Sequence, residues 1–135
     1  MDPHSPLPPS DDAAADPASA AVLDELALQR LHALDPTGAN RVVERVLRAF
    51  EGSLERLLGE ASAAQVSGDQ TAVRHVAHTL KSSSASVGAL QLSQQCSEIE
   101  RRLQQAGASG IEASLQGLQL EGQRVLVAVR RMLAP

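Results

Sequence analysis

Ala77-His78-Thr79-Leu80-Lys81-Ser82-Ser83-Ser84-Ala85-Ser86-Val87-Gly88-Ala89, midway along a 135-residue chain, decides how the rest is read. It is the second half of a predicted helix over residues 70–87. At 100° per residue, Val73, Val76, Ala77, Leu80, Ser84 and Val87 fall within roughly 60° of one direction, which is the buried side of an amphipathic helix. Gly88 supplies the left-handed stop, and Ser67-Gly68-Asp69 before the helix makes a stop, a turn and an N-cap. His78 points about 140° from the core direction and Lys81 about 80° from it on the same side, with Arg74, Ser82 and Ala85 flanking them.

Working outward, the flanking segments read as helices too. Upstream, residues 38–66 repeat apolar side chains at Val43, Val46, Leu47, Phe50, Leu54, Leu57, Ala61 and Ala64, which predicts a helix roughly 40 Å long. Gly52 and Gly59 inside it are expected to mark close packing or a bend, since each costs about 1 kcal/mol against Ala. Before it, residues 21–34 place Leu23, Leu26, Ala27, Leu31 and Leu34 on one side and stop at Asp35-Pro36. Downstream, residues 89–106 carry the stripe Ala89, Leu92, Cys96, Ile99, Leu103. A Ser109-x-x-Glu112 capping box then opens a last helix with Ile111, Leu115, Leu118, Gly122, Val125, Val129 and Met132 in line. Short connections between the last four helices imply antiparallel neighbours. The predicted fold is all-α: an up-down four-helix bundle with a short additional N-terminal helix.

Composition agrees. Pro is absent from Thr37 to Ala134 and Phe50 is the single aromatic, which favours helices packed through aliphatic side chains over a β-sandwich. Residues 1–20 hold five of the seven prolines and four aspartates, with no Lys or Arg, and read as a disordered tail before a bundle spanning 21–135. The net charge of −4 therefore belongs to the tail, and the balanced remainder argues against a nucleic-acid partner. A lone Cys96, no signal-peptide pattern and no apolar run near the ~20 residues of a membrane span predict a soluble, cytoplasmic protein. A single buried core suits a monomer.

His78 carries the chemical interest. A neutral imidazole is a competent nucleophile near neutral pH. Phosphorylated, it gains about two negative charges, which the only lysine of the chain, one turn away, partly offsets. Small side chains at Ser82, Ser83, Ser84 and Ala85 leave room for a visiting group. His75, one turn before His78, would make a metal pair with it. With only His4 and His32 remaining and no acidic residue between Gln70 and Gln95, a metal site is disfavoured and no cofactor is expected. His75 reads instead as part of a docking surface, as do Ala85 and the off-stripe leucines Leu28 and Leu90. Cys96 reads as a small buried hydrophobe.

The same residues resemble the signature of histidine phosphotransfer (HPt) domains. The likeness extends to Val22-Leu23-Asp24 opening the first helix, Phe50, Asp69, Gly88-Ala89, Leu92, Cys96 and Glu100, and covers roughly residues 21–107. It implies that His78 is phosphorylated on Nε2 by a receiver-domain aspartyl phosphate and passes the group to a second receiver. Response-regulator receivers and a hybrid sensor histidine kinase would be the partners. Lys81 would stabilise the phosphohistidine, and Mg²⁺ would sit on the receiver. Ser82 departs from the family, which most often has Gly there; its hydroxyl would contact the phosphate or slightly crowd the receiver, with transfer retained. Two other readings compete. An autophosphorylating kinase lacks a Gly-rich nucleotide site here, whereas a non-catalytic helical adaptor would need no phosphoryl chemistry.

Overall fold

The structure, a computed structural model, describes residues 22–105 and 110–134. The expected tail and Ser109 of the capping box lie outside the described residues. Within them the chain forms five helices and no strand: α1 (Glu25–Ala33), α2 (Val42–Ser67), α3 (Gln70–Ser86), α4 (Leu90–Gln104) and α5 (Ile111–Leu133). Helices α2, α3, α4 and α5 pack in chain order around one core and α5 closes the ring on α2. Short links force neighbours to run antiparallel. None of the helices among the described residues is long and apolar enough to cross a membrane.

Caps set the helix ends. Asp69 accepts a bond from the Ala72 amide (3.0 Å), the N-cap expected for α3. Gly88 closes it at φ +86°, while the Ala89 amide bonds Ser84 O (2.8 Å) and the Gly88 amide bonds Ala85 O (3.1 Å), a Schellman ending. Two starts differ from expectation. Helix α1 begins at Glu25, not at residue 21, because the Asp24 carboxylate caps it through the Ala27 amide (3.1 Å). Helix α2 begins at Val42, not at residue 38. The Asp35 carboxylate accepts from the amides of Asn40 (2.9 Å) and Val42 (3.3 Å), which holds the intervening loop and sets Arg41 in the left-handed region at φ 52°.

Helices α2 and α5, with 26 and 23 residues, outrun α3 and α4, with 17 and 15. The difference of eight or nine residues leaves an overhang of about 13 Å at the α3–α4 turn. Helix α1 packs on α2 at this end. Its entry is fixed by the Asp24 amide bonding Gly88 O (2.7 Å). The face it buries corrects the sequence reading in part: Leu23 and Ala27 are buried as read, but Leu26 and Leu34 are exposed, and Leu28 is half-buried against the core. Gly52 and Gly59 do not mark close packing, since a Cβ at either would meet nothing within 4 Å. Close packing occurs instead at Gly122, where a Cβ would lie 2.6 Å from Leu58 Cδ1. Beside it Gln119 Nε2 donates to Leu58 O (2.8 Å), and Arg130 of α5 spans Glu51 (2.7 Å) and Glu55 (2.9 Å) of α2.

Candidate functional site

The α3 stripe does what its spacing implies. Val73, Val76, Ala77, Leu80 and Ser84 are buried, so the opposite face is turned to solvent. His78 stands on that face with its side chain 74% exposed. Lys81, one turn on, is 39% exposed. His75, Arg74, Ser82 and Ala85 are exposed on the same helix, and Leu90, the first residue of α4, is 45% exposed. Of the docking residues read from the sequence, Leu28 is the exception: its contact with the core removes it from an open patch. The two leucines differ because α1 buries the side carrying Ala27 and Leu28, whereas Leu90 lies opposite the α4 stripe.

A residue from α4 completes the group. Leu92, Cys96, Ile99 and Leu103 are buried and fix the rotation of α4, which leaves Glu100 about 70° from the core direction, at the border of buried and exposed. Its carboxylate bridges both α3 residues. Glu100 Oε2 lies 3.0 Å from His78 Nδ1, and Lys81 Nζ donates to Glu100 Oε1 at 2.6 Å. Ser93 Oγ donates to Lys81 O (2.8 Å) and ties the same two helices a little further along. The bond from Lys81 holds the Glu100 carboxyl below its usual range; partial burial opposes this and the bond to His78 adds to it. An ionised carboxylate can only accept, so Nδ1 carries the ring proton and the Nε2 lone pair is free towards solvent.

The charge of Lys81 is already matched by Glu100 in this structure. Glu100 itself was legible only as a position of the family likeness. Its signal in the sequence is an acidic side chain at the edge of an otherwise clean apolar stripe. Beneath the site, Cys96 is fully buried, as read, and its thiol is pushed up to about 12, chiefly by burial and then by the Glu100 charge. The arrangement presents one imidazole nitrogen, oriented through the other nitrogen, beside an ammonium group and small side chains. Such a site is suited to taking a group from a large partner whose own reactive centre is brought up to it.

Three comparisons bear on this geometry. The model of the family described as the Hpt domain matches residues 45–134, a span that contains His78, Lys81 and Glu100. Curated protein sequences yield no match. Among solved structures, the chain is similar to the crystal structure of histidine-containing phosphotransfer protein B (HptB) from Pseudomonas aeruginosa PAO1, with a TM-score of 0.74 and 26% identity, over 85% of this chain and 96% of that one.

Proposed function

This chain belongs to the Hpt domain family, the histidine phosphotransfer proteins of phosphorelays, and from that premise we propose that His78 is its phosphoryl-carrying residue. The observation that carries the proposal is the ring's setting: exposed, with Nδ1 engaged by Glu100 and Nε2 open. Nε2 attacks the phosphorus of a receiver aspartyl phosphate. The acyl O–P bond breaks, the aspartate leaves as a carboxylate with its electron pair, and the Nε2–P bond forms. In the reverse sense a second receiver aspartate takes the group. Lys81, one helical turn away, offsets the added charge. Ser82, whose side chain is exposed on the same face, offers a hydroxyl to the phosphate oxygens. His75, Ala85 and Leu90 line the surface against which the receiver rests. Mg²⁺ belongs to the receiver, and the carrier has no ATP-dependent kinase activity of its own. It works in the cytoplasm as a monomer.

The test is acid-labile phosphate uptake from a phosphorylated receiver domain. Wild type takes up the group; His78→Gln does not, with unchanged far-UV circular dichroism and thermal melting. Uptake by the variant would show that another residue carries the phosphate. A variant that still binds the receiver, alongside a wild type that never accepts phosphate, would make this an adaptor. Incubation with ATP and Mg²⁺ alone leaves both unlabelled.

A further inference from the structure

At the end where α2 and α5 outrun their neighbours lies a groove of about 760 Å³ that the phosphoryl chemistry does not use. Its floor is apolar: Val43 and Leu47 come from α2, Met132 and Leu133 from α5. Met132 ends the apolar stripe of α5 yet is left 39% exposed. The rim carries His32 from the last turn of α1 and Arg41 at the entry to α2. Glu44 and Arg48, also at the rim, are paired with each other at 3.1 Å. Arg41 has no such partner among the described residues, nor have Arg30 in the last turn of α1 and Arg45 one turn beyond Arg41. Positive charge is therefore unmatched where α1 hands over to α2. Arg41 is also held at φ 52°, a backbone that glycine or asparagine adopts more readily, so a long cationic side chain is kept there against local preference.

The complementary charge is in the chain itself. Residues 1–21 hold Asp2, Asp11, Asp12 and Asp16 and no Lys or Arg, whereas the remainder balances. Leu7 is their one large aliphatic side chain after Met1, set among Pro6, Pro8 and Pro9, a composition that favours the extended polyproline II form. This segment joins the bundle at Val22, two residues before Asp24, whose amide bonds Gly88 O at the same end. From Asp24, His32 on the groove's rim is about 12 Å along α1. The stretch from Leu7 to Val22 can span up to about 50 Å, so the groove is within reach. A segment tethered this way meets its site at an effective concentration in the millimolar range, and a weak contact suffices. We propose that residues 6–12 occupy this groove in their own chain, with Leu7 on the apolar floor and Asp11 and Asp12 against Arg41 and its neighbours. The face around His78 is the competing position, since Arg74 and His75 are exposed there. It offers one unmatched arginine, whereas the groove joins unmatched cations to uncovered apolar surface. Seated in the groove, the acidic segment is kept off the α3 face and His78 stays open to a partner.

The experiment attaches a nitroxide to the full chain through Ser10→Cys and reads paramagnetic broadening of the ¹⁵N amides and the Met132 methyl. Cys96 is fully buried, with its thiol pushed up to about 12, so the reagent takes the new cysteine; the chain without Ser10→Cys is the blank. Resonances of Arg41, Val43 and Met132 broaden, while Val66 near the other end of α2 does not. Because a tether alone brings the label near, the variants decide. Leu7→Ser and the pair Asp11→Asn/Asp12→Asn each cut the broadening at the groove by about half or more, as does raising salt from about 0.05 M to about 1 M. Arg41→Gly does the same with unchanged far-UV circular dichroism, since glycine suits that backbone. Broadening that none of these changes overturns the inference, as does broadening centred on Arg74 and His75. A second sample mixes ¹⁵N-labelled chain lacking the nitroxide with unlabelled chain bearing it. Groove broadening in that mixture gives the site to the N-terminal segment of another copy and overturns occupancy within one chain.

Discussion

Replacing Gly88 by alanine tests how the N-terminal helix is held on the bundle. Gly88 sits at φ +86°, and a Cβ there would lie 2.7 Å from Asp24 N, 2.9 Å from Asp24 O and 3.1 Å from Ala27 Cβ. Two costs arise. A non-glycine residue in the left-handed region loses about 1–2 kcal/mol. The Asp24 backbone must also retreat, and its 2.7 Å hydrogen bond to Gly88 O goes with it. That bond is worth about 1 kcal/mol net. The sum is a loss of about 2–3 kcal/mol. With a urea m-value of about 2 kcal/mol/M, the denaturation midpoint read by circular dichroism falls by about 1–1.5 M. Gly88→Asn separates the contributions: asparagine tolerates positive φ but keeps the Cβ, so it recovers about 1 kcal/mol over alanine and no more. Gly52→Ala is the opposite control. Its Cβ enters open space on a helix, and the change stabilises by about 0.5–1 kcal/mol. A Gly88→Ala protein within about 0.5 kcal/mol of wild type would refute both the strain and the close-approach argument.

Two further predictions concern the groups under and beside His78. Because the Glu100 carboxyl is held low by Lys81 first and His78 next, its contribution is complete above the unfolded value of ~4.3 and is lost as pH falls through the lower folded value. Wild type should exceed Glu100→Gln by about 1 kcal/mol at pH 7 in urea denaturation, and the gap should close below about pH 4; a gap unchanged at pH 3 counts against the bridge. Cys96, with its thiol raised to about 12, should react with a thiol reagent at pH 8 roughly a thousandfold more slowly in the native protein than in denaturant; fast native labelling would mean that the core under the site opens readily.

Helix existence, the N-cap at Asp69, the stop at Gly88 and the outward aim of His78 were all legible before any coordinates, because each depends on neighbours within a turn or two of one helix. The long stripes of α2 and α5 were equally plain, since many turns average out a misplaced residue. Helix α1 was harder. With leucines at 26, 28 and 31 inside it and at 23 and 34 just beyond its ends, a helix of nine residues offers two apolar faces of similar quality, and local spacing does not choose between them. The glycines misled for a related reason: a helical glycine signals close packing only if something lies opposite, as Leu58 does for Gly122 and nothing does for Gly52.

The amino-acid order alone thus determined an antiparallel helical bundle with a solvent-facing imidazole one turn from a single lysine, because 3.6-residue periodicity and end-capping are local physics. Tertiary packing decided the rest. It rotated α4 against α3 so that Glu100 meets both His78 and Lys81 across 22 and 19 residues of chain. It also chose the buried face of α1 by seating Asp24 against Gly88. Relative rotation of two helices is set by how their ridges interlock, and no spacing within either helix encodes it.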